Sequence, residues 1–282
     1  MYELKIKNES GEVLNLSTSN KYTVYKIEGL NPPQATINSS VNTTQDGSVI
    51  NSMRLENRNI VIYVTINGDV EANRINLYKY FTPKRNLSLY FKNDIRDVYI
   101  EGVVELIECD LFTNRQIAQI SIICPKPYFK SVDDLVTIFS DVSAHFSFPF
   151  SIPAIGIELS TISANVRKSI VNVGDVESGV IISLFANGTV VNPVLYDVMK
   201  RTQLKLNFTM QAGDTVVINT NVGEKSIQLI RSGITTNAMG YLSPDSSWFT
   251  LSGGDNVFTY ECESGASNLQ ITFSTSILYG GV

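Results

Sequence analysis

Residues able to do covalent chemistry are few in this chain, and their spacing does not suit it. The one histidine, His145 in "AHFSFPF", would have to be the base of any Ser-His-Asp or Cys-His catalyst. It stands among phenylalanines, with no motif supplying a nucleophile and an orienting acid, so packing or surface placement is expected. Cys109, Cys124 and Cys262 are an odd set without close pairing, which argues against a disulfide framework. With a single histidine they also give no short-spaced ligand pair for zinc, so free, buried thiols in a reducing compartment are expected. Asp133 and Asp134 are adjacent, whereas a glycosidase needs two acids facing each other across its substrate. "SGGDN", residues 252–256, is rich in carbonyls but has one carboxylate, which reads as a tight turn before a calcium loop. No glycine-rich phosphate loop precedes a helix and no dinucleotide fingerprint occurs. No catalytic residue, no metal and no cofactor is therefore expected.

Binding chemistry has two candidates. In "NVGDVESGVII", residues 172–182, Asp175 and Glu177 could serve a ligand, but solvated turn and edge positions explain them as well. The single tryptophan, Trp248 in "PDSSWFTLSGGDN", could stack on a sugar. Strand alternation puts Phe249 and Leu251 inward and leaves Trp248 partly exposed, a candidate glycan platform.

The elements that must carry these residues are β-strands. The chain has 282 residues, 43% hydrophobic and only 17% charged, with 13 Tyr and 13 Phe, which suits two β-rich domains. Residues 1–130 hold 15 Lys/Arg against 14 Asp/Glu, and residues 131–282 hold 7 against 13, which leaves the second half at −6. No segment is basic enough for nucleic-acid recognition. "MYELKIKNES" lacks an apolar leader core, and no apolar run approaches a membrane span of about 20 residues, so neither secretion nor membrane insertion is expected. Synthesis in the cytoplasm follows as an expectation.

"YELKIKN" and "KYTVYKIEGL" alternate as strands. Pro32 and Pro33 enforce an extended entry or a turn before "VNTTQDGSVINSMRLEN", where Asp46-Gly47 signals a two-residue hairpin turn. This arm, over about 34–58, begins with the polar "INSSVNTT" and has little to bury, so it needs a neighbour. "NIVIYVTI" reads as an interior strand. Asp69 is a plausible N-cap for a helix over about 69–82, with Val70, Leu77, Tyr78 and Phe81 on one stripe, Arg74 at its edge and Pro83 as its stop. Two long runs flanking Thr113-Asn114 read as a hairpin ending at "CPKPYFKS". Residues 1–130 thus form a first domain, 131–149 a transition, and 150–282 a β-sandwich of short strands punctuated by turns such as Asn187-Gly188 and Gly213-Asp214.

The order of "RNIVIYVTINGDVEANRINLYKYF", "CPKPYF", "NVGDVESGVIISLFANGTVVNPVLYD", "LKLNFTMQAGDTVVINTNVGEKSIQLI" and "SSWFTLSGGDNVFTY" resembles the distal tail protein family of long-tailed, non-contractile bacteriophages and prophages. The resemblance runs along essentially the whole chain. It implies a mainly β protein: an N-terminal split β-barrel-like domain with one helix and an extended hairpin, then a jelly-roll or galectin-like sandwich. It also implies a structural virion protein of the tail tip, six copies of which form a ring whose hairpins embrace their neighbours. Such a ring lies between the tail tube protein and the fibre or baseplate proteins that meet the host. The candidate ring-interface residues are Val41, Thr43, Asp46, Gly47 and Val49 at the hairpin. The alternative is an adhesin that recognises host cell-wall carbohydrate through the sandwich and Trp248; a glycan-degrading enzyme is a third class.

Overall fold

The computed structural model describes residues 2–41, 44, 46–113, 115–139, 142–144, 160–162 and 167–282, with backbone alone at 142–144 and 160–162. His145 and Thr43 lie outside the described residues. The chain divides into two compact units: Met1–Val132 with Leu278–Val282, and Asp133–Ile277.

In the first unit, β1 (Glu3–Asn8), β2 (Val13–Asn15), β3 (Tyr22–Glu28), β4 (Ala35–Val41), β5 (Ser48–Leu55) and β6 (Arg58–Ile66) precede the helix α1 (Val70–Tyr80). After it come β7 (Asn86–Lys92), β8 (Asp97–Cys109), β9 (Ile117–Cys124) and β10 (Phe129–Ser131). An antiparallel path runs β2-β1-β7-β8-β9-β6-β3, and β10 joins β8 to the chain-end strand Leu278–Tyr279. The apolar run "NIVIYVTI" is interior, paired on both sides, with Ile60, Ile62, Val64, Thr65 and Ile66 buried. Among the described residues β2 and β3 do not pair with each other, so the sheet curls without closing. That is the split, barrel-like first domain.

Asp69 caps α1 by accepting from the Ala72 N–H at 3.2 Å, and Phe81 ends it ahead of Pro83. The inward stripe differs from the expected one. Asn73 and Leu77 are buried, with Phe81 beyond the helix end, whereas Tyr78 is half-buried with Arg74 over its ring. The Asn73 side chain is tolerated inside because its amide donates to the Asn67 main-chain carbonyl at 2.7 Å; separately, the Asn73 main-chain carbonyl accepts from the Tyr22 hydroxyl at 3.0 Å.

The second unit is a sandwich. A six-stranded sheet runs Leu135–Ile138, Leu269–Thr275, Ile181–Ala186, Thr215–Asn219, Ser226–Arg231, Ile234–Asn237. A four-stranded sheet runs Lys168–Asn172, Gly254–Glu261, Val194–Asp197, Thr202–Lys205. Leu135–Ile138, in the stretch read as a transition, is thus an edge strand, and Phe139 beyond it stacks on Phe273 at 4.7 Å. Every second residue of Leu269–Thr275 is buried, as a strand with one face on a core requires. That core gathers Ile182, Leu184, Val216, Ile218 and Phe273 against Ile170, Leu195, Phe258 and Tyr260. The chain's last stretch does two jobs: Leu269–Thr275 completes the sandwich, and Leu278–Val282 returns to the first unit.

Candidate functional site

Among the described residues, several groups with chemical potential are tied into the fold. Cys109, Cys124 and Cys262 are free thiols. Burial pushes Cys124 up to about 12 and Cys262 up to about 11, far from a reactive thiolate. The carboxylate of Asp134 accepts from the Ser276 hydroxyl at 2.6 Å. In "SGGDN" the Asn256 amide donates to the carbonyls of Ser252 at 2.8 Å and Gly254 at 3.0 Å, so the loop's inward carbonyls are satisfied by its own side chain. Glu177 accepts from Lys200 and Thr250, both at 2.5 Å, and these bonds hold its carboxyl below the usual range. The Lys200 ammonium also donates to Thr250, so this knot ties a turn to the neighbouring hairpin.

Phe249 and Leu251 are 1% and 0% exposed, and Trp248 is half-buried against the same core. The Lys225 ammonium sits over the indole at 5.6 Å. The exposed face of this ring is thus shared with a cation.

The arm is different. Its strands pair from Ala35↔Leu55 to Val41↔Ser48. Nearly every residue on both strands is solvent-exposed. Register and pleat sort its side chains: Ile37 faces Met53, Ser39 faces Ile50, and Ala35 faces Leu55, all on the face that Val41 shares. The opposite face carries Thr36, Asn38, Ser40, Ser52 and Arg54 with Val49. There Asn38 donates to Ser52 at 3.0 Å, and at the arm's base Thr36 donates to Glu56. That hydroxyl, then Arg54, holds the Glu56 carboxyl below its usual range.

Two expectations are corrected here. The arm is not simply polar: Ile37, Val41, Ile50 and Met53 are 55–77% exposed on one face. The bulge between Asn38 and Ser39 is the reason. Without it Ile50 would lie opposite Ser40, on the polar face; the extra residue Asn51 turns it onto the apolar one. Nor is Asp46-Gly47 a two-residue turn. Among the described residues the last ladder pair is Val41↔Ser48, a register that does not make Asp46-Gly47 the two central residues of a turn; both are exposed, with Gly47 at φ +93°. Val41 thus lies on the apolar face and Val49 on the polar one.

A second feature accompanies the open sheet. A cleft of about 930 Å³ runs along β3, lined by apolar residues such as Leu4, Val24 and Ile27 and by polar ones such as Asn20, Lys26 and Glu28. Tyr25, on β3, is half exposed beside it. An open edge strand next to a cleft of mixed polar and apolar lining is a natural acceptor for another strand.

A mostly β chain with a split sheet, one helix, a projecting hairpin and a sandwich belongs to a recognisable class. Residues 9–124 match the family model for the phage tail protein RIFT-related domain, and residues 173–276 match the siphovirus-type tail component, C-terminal domain. The fold agrees with the crystal structure of SPP1 Dit (gp 19.1), described as a paradigm of the hub adsorption apparatus in phages infecting Gram-positive hosts. That match has a TM-score of 0.69 at 11% identity and covers 97% of this chain and 98% of that one. A chain of the phage P2 baseplate in its activated conformation with Ca matches with a TM-score of 0.54 at 13% identity, covering 97% and 98%. Comparison with curated protein sequences finds no match. The chain belongs to the siphovirus distal tail protein family; it is a structural component of the phage tail.

Sequence reasoning missed the apolar stripe and the cleft. The stripe's residues were visible, but their common face depends on a bulge that no residue type announces. The cleft exists because β2 and β3 fail to meet, which no local pattern encodes.

Proposed function

We propose that this protein forms a six-membered ring at the distal end of the tail, a hub between the tail tube protein and the fibre or baseplate proteins. The observation that carries this reading is the arm's apolar face. Four large side chains stay exposed there, and fully burying each contributes about 1.5–3 kcal/mol. A monomer gains nothing from displaying them, while a neighbouring copy offers β3 and its cleft. An arm on one copy and an acceptor on the next make a heterologous contact, which closes into a ring when the rotation fits. The work is then geometric: among the described residues, Asp134 and Glu177 are engaged by hydrogen bonds within the fold.

Mass measurement in solution over a range of concentrations, with electron microscopy of the larger species, tests this. The expected result is a closed ring of six that is lost when Ile37 and Met53 are both changed to Ser. A chain that stays monomeric at every concentration and with tail tube protein present would overturn it.

A further inference from the structure

Arg58, the first residue of β6, is 3% exposed, and all its hydrogen-bond acceptors are main-chain carbonyls. Its Nε donates to Pro127 at 2.7 Å, its Nη1 to Gly29 at 2.5 Å and Asn31 at 2.7 Å, and its Nη2 to Gly280 at 2.6 Å. The guanidinium lies over the Phe129 ring at 4.6 Å. A buried cation costs several kcal/mol unless its donors are well satisfied, so so many carbonyls turned toward one side chain mark a built clamp.

The clamp's partners lie at a junction. Gly29 and Asn31 carry the chain from β3 toward the arm. Arg58 receives it three residues after the arm's return strand. Gly280 belongs to the chain end, which reaches this place directly after the sandwich finishes at Ile277. Further bonds fasten that end. Leu278–Tyr279 pairs with Phe129 and Lys130, the Arg96 guanidinium covers the Tyr279 ring at 4.4 Å and donates to the Gly281 carbonyl, and the Val282 N–H donates to Leu30 at 3.1 Å. The fit is close: a Cβ on Gly281 would stand 2.9 Å from Pro32 Cδ and 3.1 Å from the Leu30 carbonyl.

We infer that Arg58 is a positioning residue for the arm, and that the last five residues of the chain form part of the arm's socket. The arm's own ladder holds its strands together but cannot aim them. One planar fork of donors sets arm entry, arm exit and chain end together, so loosening any of them loosens the others. Lysine, with a compact ammonium in place of the fork, cannot span these carbonyls.

The test uses the full-length chain with Arg58→Lys, Gly281→Ala and both together, and reads amide hydrogen exchange before assembly, then ring formation. Only the ring readout rests on the function proposed above. Each single variant is expected to speed exchange by about tenfold or more at both 29–34 and 278–282, with β8 and β9 unchanged. The double variant is expected to exceed the stronger single variant little, because both act on one clamp. Faster exchange at one segment alone, or effects that simply add, would overturn the inference. If Arg58→Lys does not fold, Gly281→Ala decides through the same two segments. Coupled exchange in a chain that never assembles would support the clamp and refute the ring; uncoupled exchange in variants that still form rings would refute the clamp alone.

Discussion

Two hairpins of the first unit invite comparison. The β8–β9 hairpin and the β4–β5 arm are both antiparallel, both carry a bulge and both mix polar with apolar residues. In β8–β9, Val98, Ile100, Val104, Ala118, Ile120 and Ile122 are almost wholly buried. In the arm Ile37, Ile50 and Met53 keep more than half their surface in water. Identical backbone pairing thus serves opposite ends. One hairpin is held by the core it builds; the other has a ladder and a few polar cross-strand contacts, and is marginal without a partner. Where stability is not the return on an apolar face, association is.

This contrast gives graded expectations. Ile120→Ala should destabilise the first unit by about 2–5 kcal/mol, read by chemical denaturation, because it opens a cavity in a packed core. Asp69→Ala should cost about 1 kcal/mol through loss of the helix cap, leaving the arm's exchange unchanged. Ile37→Ser with Met53→Ser should shift monomer stability by no more than about 0.5 kcal/mol per site, while abolishing the ring. A large stability loss in that double variant would mean that the stripe is buried within its own chain.

Acid extends the comparison. Asp214 accepts two bonds from Arg231, at 2.8 and 2.6 Å, with its own side chain buried; Arg54–Glu56 on the arm is an exposed pair. Arg231 holds the Asp214 carboxyl below its usual range, and Thr36 with Arg54 does so for Glu56. A depressed folded pKa contributes stability that is present above the unfolded value, about 4, and is lost as pH falls through the folded one. Asp214→Asn should therefore flatten the acid limb of the sandwich's unfolding below about pH 4. Glu56→Gln should leave it unmoved, since exposed pairs contribute little.

Much of this was legible in the residues. The long runs about Thr113-Asn114 located the β8–β9 hairpin, turn signals at regular spacing located the sandwich strands, Asp69 and Pro83 bracketed the helix, and Phe249 with Leu251 pointed inward as alternation required. What stayed hidden depends on long-range registration. Tyr22, 51 residues before Asn73, reaches the helix's buried stripe by donating to the Asn73 main-chain carbonyl. Ile50 joined the apolar face through a bulge. Arg58 stands three residues after the arm's return strand, yet its carbonyl partners include Gly280, 222 residues away. Each of these is set by a partner distant in sequence, whereas pattern reading sees only neighbours.

Two methionines allow the most direct measurement. Met53 on the arm is 68% exposed and Met199 in the sandwich is 65% exposed, so peroxide should oxidise both at similar rates in the separated chain. In the assembled ring Met53 should become protected while Met199 continues to react. Equal oxidation of the two in assembled particles would contradict the claim that the arm's apolar face is the surface that joins one copy to the next.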